Sequence, residues 1–397
     1  MLPMCMSHFP RRPASGQLAT IELFAGIGGF RLAADSLGIT TVWANDTNGK
    51  ACSVYRDRFG EDVLVKDDVR SIDVDDIPTH DILTGGFPCQ PFSNAGKKQG
   101  IEDPRGTLFQ SVVDILKKKQ PRYFVLENVK RLLEMESGRH FATILSSLSK
   151  LDYRIEWRLL NACNFGLPQN RQRVFITGVR GDASTSEYVH LVSASDLSEI
   201  EHSERSALLS PETWLPLEKY RATFPTWGVS QNGRFCAVDI PGFQEKQFPV
   251  LLADVMEDHV DPKFDFTETT LKWLHKNTIV ERFVDGVEIL SNQGGGARMG
   301  YTLFGTNGIA PTLTASTSRH YERYKVGDRY RRLTNVEYAR LQGFPDNHCS
   351  AVSVYDQYIL FGNAVPPPMA RWVISKVIGR GVRIPSTGTQ MKMVLAG

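Results

Sequence analysis

The chain has 397 residues, of which 41% are hydrophobic, and a formal net charge of +2, so it is long enough for a sizeable core and for more than one domain. Its six cysteines include no C-x-x-C pair and no histidine at zinc-finger spacing, which argues against a disulfide framework or a structural zinc site. No apolar stretch approaches the length of a membrane span, and the first residues lack the apolar core of a signal peptide. We therefore expect a cytoplasmic protein without membrane contact.

Charge is distributed unevenly along the chain. Acidic side chains outnumber basic ones over residues 181–290, whereas basic side chains predominate over residues 291–332. This reversal is typical either of one face for a polyanion beside a solvated acidic face or of ordinary surface scatter. Charge alone does not decide between the two.

Residues 20–180 alternate short apolar runs with helical patterns. Strands are predicted at 20–24, 41–44, 81–84, 123–126, 155–160 and 174–177, and helices at 30–37, 49–59, 108–119 and 139–150. Such alternation predicts βαβ units and an α/β fold with a mostly parallel sheet.

The pattern breaks over residues 181–330 and returns afterwards. Thr334 followed by Glu337 is a capping box that opens a helix, and a final apolar helix comes later. We therefore predict a disordered lead at 1–17, a catalytic and cofactor-binding domain at 18–180, a smaller irregular domain at 181–330, a return to the first domain at 331–380, and a tail at 381–397.

A glycine-rich turn after the first strand points to a nucleoside ligand. It departs from the dinucleotide pattern G-x-G-x-x-G, because Arg31 stands where the third glycine belongs. Asp46 ends the second strand 20 residues after Gly26, where an acid accepts hydrogen bonds from ribose hydroxyls. A ligand without a pyrophosphate, such as S-adenosylmethionine, fits this pattern. The alternative is a tight turn beside an exposed carboxylate.

A second group of residues combines a thiol, an acid and two cations. Cys89 follows the 81–84 strand at the end where α/β sheets bind ligands, and Glu127 ends the next strand. Arg171 and Arg173 are two residues apart, so they share a face in extended chain. Lys97 on the loop after Cys89 is placed to meet phosphates. The alternatives are a buried structural thiol and a surface ion pair.

Six sequence blocks resemble one family. They are "FAGIGGF" (24–30), "GGFPCQPFS" (85–93), "LENV" (126–129), "QNRQRVF" (169–175), "RRLTNVEYARLQGFPD" (331–346) and "FGNAV" (361–365). In this order they resemble the DNA (cytosine-5) methyltransferases of the bacterial restriction-modification type. The resemblance implies a Rossmann-like S-adenosylmethionine-dependent methyltransferase sheet, and it makes 181–330 the target-recognition domain.

The resemblance also implies a catalytic assignment. Cys89 would attack C6 of a cytosine that is flipped out of the duplex, and Glu127 would hydrogen-bond to N3 and the exocyclic amine. Arg171 and Arg173 would hold the carbonyl of the base and the Glu127 side chain. The activated C5 would then take the methyl group, and S-adenosylhomocysteine would be the product.

The resemblance extends to the cofactor and DNA contacts, with no metal required. Asp46 stands where the family often has Glu, and Thr47 stands where an aromatic residue commonly stacks on adenine. The implied cofactor residues are Phe24, Gly26, Gly28, Gly29, Asp46, Thr47, Asp68, Val69 and Asn363. The implied DNA contacts are Gln90, Ser93, Lys97, Arg298 and Thr312. Gly294 to Gly296 occupy the stretch where a base-replacing side chain would stand, so none is assigned.

The implied partners are double-stranded DNA, bound by a monomer within the nucleoid, and a restriction endonuclease that pairs functionally without a stable complex. A tRNA cytosine-5 methyltransferase is an alternative, but its relatives carry a Cys-Phe-Thr triplet that this chain lacks. A non-catalytic DNA-binding regulator would be expected to have lost Cys89 or Glu127. A nicotinamide-dependent dehydrogenase is disfavoured by the missing third glycine.

Overall fold

The structure is a computed structural model that describes residues 16–88, 108–181, 188–240, 250–293, 302–315, 322–379 and 382–383. Its first half alternates strands and helices, as the sequence predicts. The elements are β1 (Ala19–Leu23), α1 (Gly29–Ser36), β2 (Thr40–Asn45), α2 (Gly49–Phe59), β3 (Leu64–Val65), β4 (Ile82–Gly86), α3 (Leu108–Lys119), β5 (Tyr123–Val129), α4 (Arg139–Ser149), β6 (Tyr153–Asn161) and β7 (Gln172–Arg180).

The irregular region contains short helices and two groups of strands. The elements are β8 (Tyr188–Val189), α5 (Ala194–Glu199), α6 (His202–Leu208), β9 (Leu215–Pro216), β10 (Trp227–Gln231), β11 (Arg234–Val238), α7 (Glu268–Leu274), β12 (Thr278–Val284), β13 (Val287–Asn292), β14 (Thr302–Phe304), β15 (Arg323–Val326) and β16 (Arg329–Arg331). The C-terminal return holds α8 (Asn335–Gln342), α9 (Val354–Asn363), α10 (Pro367–Ile378) and β17 (Val382–Arg383). Thr334 and Glu337 form the predicted capping box at the start of α8.

The main sheet has ten strands in the order β3-β2-β1-β4-β5-β7-β6-β10-β11-β9. The first five strands pair in parallel, and their residues are almost entirely buried because helices cover the sheet. β7 is inserted between β5 and β6 and is antiparallel to both. The parallel strands therefore end together at one edge, which opens the crevice typical of α/β proteins.

The sequence predicts that the first domain ends at residue 180, but strands from the following region extend the main sheet. β10 pairs with β6, and β11 and β9 follow outward. The buried Glu156 on β6 fastens this extension, because its carboxylate accepts hydrogen bonds from Trp227 Nε1 and from the backbone of His190 and Leu191. The second sheet, β12-β13-β14-β15-β16, comes from the rest of the irregular region.

The C-terminal return completes the core on both sides of the glycine-rich turn. Met369 and Val373 of α10 pack with Phe30 and Ala33 of α1 in one buried cluster. A second buried cluster joins residues of the glycine-rich turn and α2 to the second sheet and to α8 and α9; it includes Ile27, Val54, Phe304, Leu313, Tyr338 and Phe361. The return is therefore part of the structure that forms the crevice.

Gly178 on β7 offers a stability test of this packing. A Cβ at this position would lie 1.9 Å from Phe124 Cε1, and the Phe124 ring is fully buried against Tyr153. We expect Gly178→Ala to lower the free energy of unfolding by about 1–3 kcal/mol through overpacking. Gly49→Ala is the matched control, since its Cβ meets only the flexible Lys66 side chain, and it should change stability by less than about 0.5 kcal/mol. Equal midpoints of urea unfolding for both variants would contradict this account.

Candidate active site

A cavity of about 440 Å³ opens at the carboxyl ends of the parallel strands. Several separate parts of the chain form its wall, including the glycine-rich turn, the loop after β2, the ends of β4 and β5, the residues at the start of β7 and the end of α9. They contribute, among others, Phe24, Gly26, Gly29, Asp46, Thr47, Gly86, Pro88, Glu127, Arg171, Arg173 and Asn363.

The glycine-rich turn needs its glycines for shape. Phe24, Gly26 and Gly28 all have positive φ, and Gly28 caps the start of α1 in the left-handed conformation. A Cβ on Gly28 would lie 2.3 Å from the Phe59 ring, and a Cβ on Gly29 would lie 2.2 Å from Val365 O. The positive φ of Phe24, a residue with a side chain, places backbone strain at the wall of the cavity.

Asp46 lies between this turn and the start of α2. Its Oδ2 accepts a hydrogen bond from Gly26 N at 2.8 Å, and its Oδ1 accepts one from Asn48 N at 2.7 Å. Each carboxylate oxygen can accept a further hydrogen bond from a ligand. Thr47 and the buried Val69 line the same cavity.

Two described cofactor candidates, Gly28 and Asp68, do not line the cavity. Gly28 shapes the glycine-rich turn, whereas Asp68 lies apart from it. Asp68 caps a short 3₁₀ helix, Val69–Ser71, and pairs with Arg70, so its carboxylate is already engaged at the surface. The Arg70 guanidinium lowers the pKa of Asp68 to about 2.

Glu22 is a lining residue that sequence patterns did not single out. It lies within β1, is 1% exposed, and accepts a hydrogen bond from Tyr55 Oη at 3.1 Å. Within the described residues no ion pair forms at Glu22, and burial raises its pKa to about 8. The available signal was an acid inside an otherwise apolar strand directly before the glycine-rich turn.

Glu127 and Arg173 form a buried ion pair in the cavity wall. Arg173 Nε lies 2.8 Å from Glu127 Oε1, and each side chain is 11% exposed. The antiparallel pairing of β5 with β7 brings the two together, because Val129 is opposite Arg173. Burial raises the pKa of Glu127, although the two arginines act in the opposite direction. A carboxyl of this kind is suited to holding and donating a proton.

Arg171 also lines the cavity, but its terminal nitrogens bind protein backbone. They donate hydrogen bonds to Leu313 O, Gly362 O and Ala364 O at 2.9–3.0 Å. The side chain is 1% exposed, and burial, followed by repulsion from Arg173, lowers its pKa to about 9. Arg171 therefore fastens the cavity wall, while its Nε has no hydrogen-bond partner among the described residues, and its contact with a base stays a prediction.

Thr312 also binds the protein. Its hydroxyl donates a hydrogen bond to Asn170 O, and Asn170 N donates one to Ala310 O. Residues 310–315 ("APTLTA") are thereby attached to the chain just before β7. The Thr312 hydroxyl is therefore engaged within the protein.

The β4 loop is held beside Glu127. Asn128 Nδ2 donates a hydrogen bond to Phe87 O at 2.9 Å, and Phe87 packs against Phe109. Cys89 follows Pro88 directly but lies outside the described residues, as do Gln90, Ser93, Lys97 and Arg298. Asn128 is a second residue that sequence reasoning did not assign, although it stands in the "LENV" block.

The described residue ranges lack two further kinds of feature. No group of three or more His, Cys, Asp or Glu side chains there is arranged to hold a metal ion. None of the helices there combines the length and the apolarity needed to cross a membrane.

Comparison with known proteins gives a consistent result. The family model for C-5 cytosine-specific DNA methylase matches residues 18–379. The chain is 35% identical over 370 residues to the Type II methyltransferase M1.ScrFI of Lactococcus lactis subsp. cremoris, covering 90% of this chain and 77% of that protein. It is 30% identical over 355 residues to the Type II methyltransferase M.HhaI of Haemophilus parahaemolyticus, covering 88% and 90%.

A solved structure shows a similar fold. The S. pombe Dnmt2 methyltransferase superposes with a TM-score of 0.61 at 19% identity, covering 91% of this chain and 98% of that one. The family match spans nearly all of the described sheets and helices, and the sequence resemblance is thereby confirmed. The chain therefore belongs to the C-5 cytosine-specific DNA methylase family and is a DNA (cytosine-5) methyltransferase of the Type II class.

Proposed function

We propose that the protein transfers a methyl group from S-adenosylmethionine to C5 of a cytosine within a specific double-stranded DNA sequence, through a covalent bond between Cys89 and C6 of that cytosine. The observation that carries this proposal is the single cavity that joins the buried Glu127–Arg173 pair to the glycine-rich turn and Asp46. Functional pairing with a restriction endonuclease, without a stable complex, belongs to the same proposal.

The cavity wall suits a nucleoside cofactor with a cationic centre. Asp46 has acceptor capacity for ribose hydroxyls, and Thr47 and Val69 offer surface for the base. Glu22 supplies a buried carboxyl without an ion-pair partner among the described residues. When bound, S-adenosylmethionine supplies the electrophilic methyl carbon.

The protein groups act on the cytosine ring. The Cys89 thiolate adds to C6, which makes C5 a nucleophile, and the base must leave the helix for this attack. The Glu127 carboxyl donates its proton to N3 and so removes charge that would build up on the ring. Arg173 orients Glu127 through the 2.8 Å contact. After C5 is methylated, its proton leaves to water, elimination across C5–C6 releases the Cys89 thiolate, and the N3 proton returns to Glu127.

Covalent trapping tests the nucleophile without knowledge of the target sequence. Duplex DNA made with 5-fluorocytosine in place of cytosine should form a complex with the wild-type protein and S-adenosylmethionine that survives a denaturing gel, because fluorine cannot leave as a proton does. Cys89→Ser should form no such complex. Cys163→Ser is the matched control and should trap normally, since Cys163 is a free cysteine outside the cavity wall. A covalent complex formed by Cys89→Ser would refute Cys89 as the nucleophile. If the wild-type protein were trapped by fluorinated tRNA and not by fluorinated DNA, tRNA would be the substrate.

Replacing Glu127 should separate chemistry from binding. Gln keeps the size and hydrogen bonding of Glu127 but cannot give up a proton, so Glu127→Gln should lower kcat by about 10²–10⁴-fold while cofactor affinity stays near wild type. Single-turnover methyl transfer and calorimetric titration with S-adenosylhomocysteine measure the two effects. Glu134→Gln, at an exposed position shortly after β5, is the control. A kcat within a few-fold of wild type for Glu127→Gln would exclude its role as proton donor.

Cofactor binding should depend on pH through Glu22. With a pKa of about 8, this carboxyl is mostly protonated in the free protein near neutrality, and a bound cation favours its charged form. S-adenosylmethionine should therefore release a proton on binding below about pH 8, and its affinity should rise with pH up to that value and then level off. Tyr55 and Arg31 also face Glu22, but both keep their protonation state in this range.

Calorimetry in buffers of different ionisation enthalpy counts the released protons. Glu22→Gln should bind the cofactor without proton release, and Asp35→Asn, which alters an exposed partner of Arg31, should release protons as wild type does. Equal proton release from wild type and Glu22→Gln would assign the titration to another group.

A further inference from the structure

His348 reaches the glycine-rich turn from the C-terminal return. It lies 321 residues after Ile27 in the chain, yet its Nε2 is 2.7 Å from Ile27 O, and the residue is 1% exposed. A carbonyl oxygen only accepts, so Nε2 must carry the hydrogen. Burial lowers the pKa of the imidazole, which keeps the ring neutral with its proton on Nε2.

Packing on both sides fixes the imidazole in this position. Its ring lies 4.7 Å from the Phe344 ring and 6.1 Å from the Phe59 ring, and Arg58 Nε donates a hydrogen bond to His348 O at 2.8 Å. Phe59 occupies the space that a side chain on Gly28 would need, and the Arg31 guanidinium lies over its ring at 5.2 Å. His348 is therefore one member of a packed group that surrounds the outer side of the glycine-rich turn.

The hydrogen bond from His348 sets the Ile27–Gly28 peptide plane. Because Ile27 O is directed at the imidazole, Gly28 N points the other way and donates to Ala25 O at 2.9 Å. Gly26 N is held separately by Asp46. The turn contains three residues with positive φ, a shape that costs free energy and needs outside contacts to persist. Ile27 itself lines the cavity, so the orientation of this peptide determines the shape of the cavity wall at the proposed cofactor site.

We propose that His348 is a positioning residue for the cofactor: its Nε2–H holds the Ile27 carbonyl and thereby keeps residues 24–29 in the conformation that binds S-adenosylmethionine. This inference rests on the proposed function only in the identity of the ligand. It also makes cofactor affinity depend on the docking of the C-terminal return, which follows the target-recognition region in the chain.

Two variants of the full-length protein test the donor itself. His348→Phe keeps an aromatic ring but loses the N–H, and its dissociation constant for S-adenosylhomocysteine should rise roughly tenfold, as expected for a lost buried hydrogen bond. KM for S-adenosylmethionine should rise by a similar factor, with a much smaller change in kcat at saturation. His348→Gln retains an N–H donor and should stay within about threefold of wild type.

His80→Phe is the matched control. His80 is also a buried histidine that binds a backbone carbonyl, since its Nδ1 is 2.8 Å from Pro78 O, but it precedes β4 at the opposite end of the strands from the cavity. The control should lose stability without losing cofactor affinity. Comparing the two phenylalanine variants separates a general loss of packing from a specific effect on the turn.

The possible results have distinct meanings. If the wild-type protein binds S-adenosylhomocysteine and His348→Phe binds it equally well, the positioning role is refuted while the proposed function stands. If the wild-type protein binds neither S-adenosylhomocysteine nor S-adenosylmethionine, the proposed cofactor itself is refuted. Should His348→Phe fail to fold, His348→Ala with and without added imidazole decides the matter: recovery of affinity with imidazole supports the role, and its absence refutes it.

Discussion

The guanidinium of Arg171 is the interaction on which the assembled site depends. A buried cation without partners costs several kcal/mol, so its three hydrogen bonds to Leu313 O, Gly362 O and Ala364 O must form together. Those carbonyls belong to the irregular region 181–330 and to the C-terminal return, whereas Arg171 leads into β7 of the main sheet. The sheet can therefore satisfy this charge only when both later parts of the chain have docked. Gln169 strengthens the same junction through Leu341 O and Leu313 N.

The elements that sequence patterns predicted are those whose signal is local. The buried runs of β1, β4 and β5 and the capping box at Thr334 follow from apolar periodicity and from capping chemistry that acts within four residues. The insertion of β7 between β5 and β6, and the extension of the sheet by β10, β11 and β9, depend on pairing between distant segments. Such pairing is decided by tertiary contacts. One of them is the hydrogen bond that the buried Glu156 carboxylate accepts from Trp227, in a later segment.

The same contrast between local signals and tertiary contacts decides which site residues could be predicted. The motif blocks brought Glu127, Arg173 and Asp46 to one cavity, because strand ends in a parallel sheet share an edge. The motif blocks did not show that the two arginines have different contacts. Arg173 contacts Glu127, whereas Arg171 fastens the wall, and two residues of the same type at neighbouring positions cannot be told apart from the sequence. Glu22 was missed because a single acid in an apolar strand belongs to no motif with a fixed spacing. Only the structure shows that this buried residue lines the cavity.

Glu22 and Glu127 differ in a way that would suit the two ligands of the proposed function. Burial raises the pKa of both carboxyls, but Glu127 has Arg173 within 2.8 Å whereas no ion pair forms at Glu22 within the described residues. At Glu22, burial outweighs the stabilising contacts from Tyr55 and Arg31, so a cation of the ligand would stabilise the charged form of this carboxyl. Next to Glu127 the arginine already supplies positive charge, so a neutral ring that needs a proton is the better occupant. Under the proposed function, this difference in charge favours the cationic cofactor beside Glu22 and the base beside Glu127, and it does not depend on the motif resemblance.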